Sequence, residues 1–125
     1  MTRDTTRKLG VFPAFHKVEG RRVVVVGGGS EAAAKIRLLG ETKAQIVVHA
    51  GSLDKETGAD LVAAGAEWRG PWPTVDDLRG AALVFSATGN EDDDRAICAL
   101  AREAGVPVNV VDCPQLCDFY TPAIV

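Results

Sequence analysis

Two places in this 125-residue chain bring together residue types that could do chemistry. The first is Gly27-Gly28-Gly29 followed by Ala32, a Gly-x-Gly-x-x-Ala spacing. Glycines so placed let the backbone approach a pyrophosphate, and a helix starting there offers free N–H groups and the positive end of its dipole. The other reading is a glycine turn that joins a strand to a helix and holds no ligand. The second place is Asp112, directly after the apolar run 106–111. A carboxylate at the C-terminal edge of a strand can take or hold a proton beside the nicotinamide end of a dinucleotide. Partial burial there would raise its pKa toward a useful value. It can equally cap the turn opening at Pro114, and the residues alone leave both readings open.

Other candidates are weaker. An acid about 20 residues after the glycines normally accepts from the adenine ribose, but the second apolar run ends in His49-Ala50-Gly51-Ser52, so a 2′-phosphate meets no fixed negative charge there. Ser52 supplies a hydroxyl or caps the next helix, and His49 is expected on the rim or surface. Glu91, Asp92, Asp93 and Asp94 suit the first turn of a helix, where the macrodipole favours acids, better than a metal site. Cys113 and Cys117 lack the second Cys/His pair that zinc requires. Cys98 is expected in the core, and Trp68 and Trp72 over a sheet edge.

The elements that must position these groups are legible from apolar patterning. Short continuous runs of β-branched and small aliphatic residues at 21–26, 44–49, 66–69, 82–87 and 106–111 predict five strands. Between them, 30–39 carries Ala32, Ala33, Ile36 and Leu39 at helical spacing, with Ser30 as a cap and Gly40 as a stop. A weaker helix is expected over 52–64, one or two turns over 74–78, and a longer helix after Asn90 that Gly105 closes. Strands alternating with helices make an α/β domain: a Rossmann-like, doubly wound parallel sheet of five strands in the order 3-2-1-4-5. Its ligand site falls at the switch point between strands 1 and 4, beyond their C-terminal ends. Residues 1–10 are polar and aperiodic and are expected to be a flexible leader to one domain over 11–125, in which Phe12, Pro13 and Phe15 begin to pack.

Composition narrows the partners. With 46% hydrophobic and 25% charged residues the chain can bury a core, and three cysteines, an odd number, point to reduced thiols and the cytoplasm. Apolar runs are too short for a membrane helix. The first 37 residues hold 8 of the 14 Lys/Arg and only 3 of the 17 Asp/Glu, which favours an anionic ligand near the first third of the fold. Nucleic acid is a poor candidate, because the bases are not interleaved with aromatics.

Taken together these segments resemble the N-terminal domain of siroheme synthase, the precorrin-2 dehydrogenase and sirohydrochlorin ferrochelatase family, over about residues 9–125. The pieces that carry the resemblance are Phe12-Pro13-Ala14-Phe15, Val24-Val25-Val26-Gly27-Gly28-Gly29, Ala34-Lys35-Ile36-Arg37-Leu38-Leu39 and Ser86-Ala87-Thr88. More specific are Val108-Asn109-Val110-Val111-Asp112, Leu116-Cys117-Asp118-Phe119 and Thr121-Pro122-Ala123-Ile124. The resemblance implies oxidation of precorrin-2, an anionic tetrapyrrole, to sirohydrochlorin with hydride passing to NAD, and in many members insertion of Fe²⁺. It implies that Asp112 is the general base, with Gly27, Gly28, Gly29, Ser30, Glu31, Gly51, Ser52 and Thr88 around the cofactor. It also implies a homodimer built by a helical region that relatives carry after Pro-Ala-Ile-Val. Gly89-Asn90, where relatives usually have an acidic pair, and Cys113 depart from the pattern. A different class, a regulatory domain that senses NAD(H) without turnover, has similar length and fold. Such domains usually place an acid at the end of strand 2.

Overall fold

The computed structural model describes residues 7–121. Most of the expected leader, and Pro122-Ala123-Ile124, lie outside them. Five strands, β1 (Arg22–Val26), β2 (Gln45–His49), β3 (Glu67–Gly70), β4 (Leu83–Ser86) and β5 (Val108–Val110), alternate with helices α1 (Ser30–Leu39), α2 (Lys55–Ala63), α3 (Val75–Leu78) and α4 (Glu91–Ala104). The sheet is parallel throughout and runs β3-β2-β1-β4-β5, the expected order.

Why the central runs are continuously apolar is visible in β1. Alternate side chains leave a strand on opposite faces, and both faces are covered. Val23 and Val25 join one core with Ile36 and Leu39 of α1, Ile46 and Val48 of β2, and Phe85. Val24 and Val26 join a second core with Leu78 of α3 and Ile97 and Ala101 of α4. All four valines are buried. β1 pairs with β2 in the register Val26↔His49 and with β4 in the register Val26↔Ser86, so three strands end side by side under the glycine turn.

Three local expectations are revised. Gly29, not Ser30, occupies the cap position of α1, without a side-chain bond. α2 starts at Lys55 rather than at Ser52, because residues 50–54 fold back over the glycine turn: Asp54 N–H donates to Gly28 O at 2.9 Å. Phe12 and Phe15 stand in solvent, 90% and 101% exposed, since no element of the sheet reaches them. α4 begins as expected, with the Asn90 side chain accepting from Asp93 N–H, and ends on Gly105 at φ 74, a left-handed conformation that glycine adopts at little cost.

After β5 the chain turns and runs back along the outer edge of the sheet. A short 3-10 turn at Pro114–Leu116 brings Cys117 Sγ within 3.2 Å of both the N–H and the carbonyl of Val110. Asp118 exchanges bonds with Val108, N–H to O at 2.8 Å and carboxylate from N–H at 3.0 Å. Asn109 Nδ2 donates to Phe119 O at 3.0 Å, and the Phe119 ring meets Phe85 edge-on at 5.5 Å. This strap occupies the polar edge of β5 that would otherwise be open to pairing, and it pins the turn carrying Asp112 from both sides.

Candidate functional site

A cleft of about 450 Å³ lies over the C-terminal ends of β1, β2 and β4. Its floor is the glycine turn, held by three bonds: Gly27 N–H to His49 O at 2.9 Å, Asp54 N–H to Gly28 O at 2.9 Å and the Thr57 hydroxyl to Gly29 O at 3.0 Å. Gly27 has φ +137, and a Cβ there would stand 2.0 Å from Ala87 O; a Cβ on Gly28 would stand 1.9 Å from Ser52 O. The loops after β1, β2 and β4 are thus in backbone contact, which only glycine at these positions allows. None of the N–H groups of Gly28, Gly29, Ser30 and Glu31 donates to another backbone carbonyl among the described residues, so the start of α1 faces the cleft with its donors free.

One wall is the loop after β2, with Gly51 and Ser52 exposed on it. Behind them sits His49, which is buried, 4% exposed, rather than on the surface as expected; its Nε2 has no hydrogen-bond partner among the described residues. Trp72 lines the same cleft instead of covering a sheet edge. Trp68 lies on β3 and donates from Nε1 to Ala50 O at 2.9 Å. The opposite wall holds Thr88 and Asp93.

Thr88 reaches the cleft, but its hydroxyl is engaged: it lies 2.7 Å from Asp94 Oδ1, which also accepts from Thr88 N–H at 3.1 Å and from Ser86 Oγ at 2.7 Å. The fourth acid of the 91–94 run is therefore buried and ties α4 to the end of β4. Its removal leaves Ser86 Oγ and Thr88 N–H without their acceptor, while the Thr88 hydroxyl keeps Asn90 O at 3.0 Å, and Asp94→Ala is expected to cost about 2–4 kcal/mol. Urea unfolding monitored by circular dichroism would measure this; a cost below about 1 kcal/mol would show that the loop finds other partners.

A second hollow of about 260 Å³ adjoins the first across Thr88 and Gly89 and is lined by Glu31, Glu91, Asp94 and Asp112 among others. Asp112 stands two residues beyond the end of β5. It is the one non-glycine residue at positive φ among those described, φ 60, a conformation that Asp tolerates better than most side chains. It does not cap the Pro114 turn, whose cap position is Cys113, and its carboxylate has no hydrogen bond or ion pair among the described residues. It is exposed, so the partial burial expected for it is not found. Of the nine residues singled out in the sequence, Gly27, Gly28, Gly29, Gly51, Ser52 and Thr88 share the first cleft. Glu31 and Asp112 share the second hollow, and Ser30 borders neither.

The family model for NAD(P)-binding domains matches residues 14–123. The chain belongs to this NAD(P)-binding family. It is 44% identical over 114 residues to a siroheme synthase of Ectopseudomonas mendocina and 44% identical over 115 residues to one of Stutzerimonas stutzeri. Each match covers 91% of this chain, and the chain spans about a quarter of the length of these relatives, 24% in both. A solved structure titled SirC, precorrin-2 dehydrogenase, superposes with a TM-score of 0.71 at 22% identity, covering 90% of this chain and 55% of that one; the two share a fold.

The NAD(P)-binding domain has the cradle its cofactor needs. The open space over Gly29, free donors at the start of α1 and the unpaired buried His49 Nε2 on the cleft wall all fit a dinucleotide. Among the described residues no helix is long and apolar enough to cross a membrane and no group of side chains is arranged to hold a metal ion. Cys98, Cys113 and Cys117 are free thiols; Cys98 is buried in the core as expected, and burial pushes its pKa up.

Asp54, which the sequence reading passed over, also lines the cleft. It lies five residues past β2, outside the usual place for a ribose acid, and only the fold-back of the 50–54 loop brings it to the glycines.

Burial lowers the pKa of His49 from its ordinary 6.5, aided by Arg69 and Arg22 and opposed by Asp77 and the Pro71 carbonyl. The folded state thus favours neutral imidazole. Below pH 6.5 the unfolded chain binds the extra proton and the native state resists it, so stability falls as pH drops from 6.5 toward the folded pKa. Asp77, whose carboxylate accepts from Thr74 N–H at 2.7 Å, is held below 3.8 chiefly by that bond and adds a separate loss as pH falls through 3.8. His49→Gln is expected to remove the upper step, reducing the fall in Tm between pH 7.5 and 5.5 by about 2–4 °C. Thermal melts across that range check this, and identical profiles for the two proteins would contradict it.

Proposed function

We propose that residues 11–125 form the NAD-binding domain of a precorrin-2 dehydrogenase, which oxidises precorrin-2 to sirohydrochlorin in siroheme biosynthesis, in the cytoplasm. The observation that carries this reading is the placement of Asp112 in a hollow adjoining the dinucleotide cleft, in a chain 44% identical to siroheme synthases over 91% of its length. When bound, NAD accepts the hydride. Dehydrogenation also releases a proton, and Asp112, unpaired and exposed, is the carboxylate placed to take it. Gly27, Gly28 and Gly29 with the N–H groups of Ser30 and Glu31 would hold the pyrophosphate, and Gly51 and Ser52 would flank the adenosine end. Thr88, fixed by Asp94, would set the height of the wall between cofactor and substrate. In this reading the acting unit is a homodimer, and iron insertion, where it occurs, follows in the same tetrapyrrole site.

The test is a calorimetric titration with NAD followed by a spectrophotometric assay of precorrin-2 oxidation, run with the protein alone and with the following segment of a siroheme synthase supplied in trans. Oxidation in either arm, with NADH formed in equal amount, is the expected result. NAD binding with no oxidation in both arms would overturn the dehydrogenase reading and leave a domain that senses the dinucleotide without turnover. Fe²⁺ uptake by the product, read in the same cuvette, reports on chelation.

A further inference from the structure

We propose that Asp54 reads the adenine ribose of the dinucleotide, accepting from its hydroxyl groups and excluding a 2′-phosphate, so that the protein uses NAD and rejects NADP. The inference rests on dinucleotide binding in the cleft just described and goes further by assigning the selectivity to one side chain. The C-terminal end of β2, where such an acid normally stands, carries His49 and Ala50 instead. The loop that follows compensates by folding back.

Three observations fix where the Asp54 carboxylate is and what it is free to do. Its own N–H is bonded to Gly28 O at 2.9 Å, and three residues on, the buried Thr57 donates from its hydroxyl to Gly29 O at 3.0 Å. The first turn of α2 is thereby clamped to the glycine turn on both sides of the Asp54 side chain. That side chain points at the cleft: Oδ2 lies 3.6 Å from where a Cβ on Gly29 would be, and Asp54 is part of the cleft lining. Finally, Asp54 occupies the cap position of α2 without making a side-chain capping bond, and its carboxylate has no ion pair or hydrogen bond among the described residues. An Asp at a helix cap usually spends its oxygens on the first-turn N–H groups; this one keeps them for the cleft.

The chemistry then decides between the two cofactors. A carboxylate is an acceptor only, so it pairs with the hydroxyls of an unphosphorylated ribose and repels the one and a half to two negative charges of a phosphate monoester (roughly, near pH 7). Among residues lining the cleft, the described ones include no Lys or Arg to offset it. Discrimination by an unpaired like charge is of the repulsive kind, which is most effective against the wrong ligand.

The test is calorimetric titration of the wild-type chain, Asp54→Asn and Asp54→Ser with NAD⁺, NADP⁺, ADP and 2′,5′-ADP. The wild type is expected to favour NAD⁺ over NADP⁺ by about 30-fold or more, with ADP over 2′,5′-ADP in the same order, and the preference should shrink as salt rises. Asp54→Asn and Asp54→Ser, which keep good cap residues, should bind NAD⁺ about five- to tenfold more weakly, because the ribose hydroxyls lose a charged acceptor, and should bind NADP⁺ more tightly than wild type, so that the gap narrows by about tenfold or more. Equal wild-type affinities for the two dinucleotides, or an unchanged ratio in folded variants, would overturn the role of Asp54 while leaving the dehydrogenase reading to its own assay. Failure of the wild type to bind either dinucleotide would overturn both.

Discussion

Asp112→Asn is expected to lower the rate of precorrin-2 oxidation by about 100-fold or more, the range over which a positioned base acts, while NAD affinity stays within about threefold. Asparagine keeps the size of the side chain and is the residue after glycine best suited to positive φ, so the turn at φ 60 survives. What is lost is the ability to take a proton. The turn itself is secured by groups other than the Asp112 side chain, namely Cys113 N–H to Val110 O at 3.1 Å and Cys117 Sγ against Val110, so thermal stability should be nearly unchanged. Asp112→Ala should be equally inactive and less stable by about 1 kcal/mol, because alanine pays more for that conformation. Single-turnover oxidation together with NAD titration separates the roles. A large loss of NAD affinity in Asp112→Asn would place the residue with the cofactor, and near-normal oxidation would remove it from the chemistry.

Gly27→Ala and Gly29→Ala should fail in different ways. At Gly27 a methyl group would stand 2.0 Å from Ala87 O, on a backbone at φ +137 that L residues rarely adopt. The clash is with backbone at the end of β4, which cannot move aside without breaking the Ala87 N–H to Val26 O bond. A cost of about 3 kcal/mol or more follows, or roughly 10–15 °C in Tm for a domain of this size. At Gly29 the nearest atom to a new methyl is Asp54 Oδ2 at 3.6 Å, an ordinary contact, so the fold should hold within about 1 kcal/mol. The methyl would nevertheless enter the cleft, and NAD affinity should fall by about tenfold or more, since a small intrusion on close backbone–phosphate contact is enough to lose it. If Gly27→Ala melted like the wild type, the backbone contact between the loops after β1 and β4 would not be the constraint it is taken to be. If Gly29→Ala bound NAD normally, the pyrophosphate would not lie over it.

Much of the architecture was legible in residue order. The valines of β1 form an unbroken apolar run because each face of the sheet has its own core, and that pattern, repeated in β2 and β4 with helical spacing between, leaves one sensible strand order. Asn90 and Gly105 marked the ends of α4 because capping is a local property of backbone donors and acceptors. Ser30 and Ser52 misled for the same reason taken too far. Both have good capping chemistry, but Gly29 takes the cap position of α1 and the loop after β2 is drawn over Gly28. His49 read as a rim residue because histidine is polar; the register Val26↔His49 buries it where β1 and β2 end together.

Sequence alone thus determined the α/β class, the five-stranded order, the glycine turn and the segment that ends in Asp112. These depend on periodicity and on φ preferences that act over a few residues. Tertiary structure decided which side chains face the cleft. It brought Asp54 beside Gly29 across 25 positions of chain, spent the hydroxyl of Thr88 on Asp94, and left Asp112 unpaired beside Glu31. Those outcomes depend on how loops from separate strands close on one another, and no local pattern in the chain encodes a contact between groups whose approach is set by the sheet beneath them.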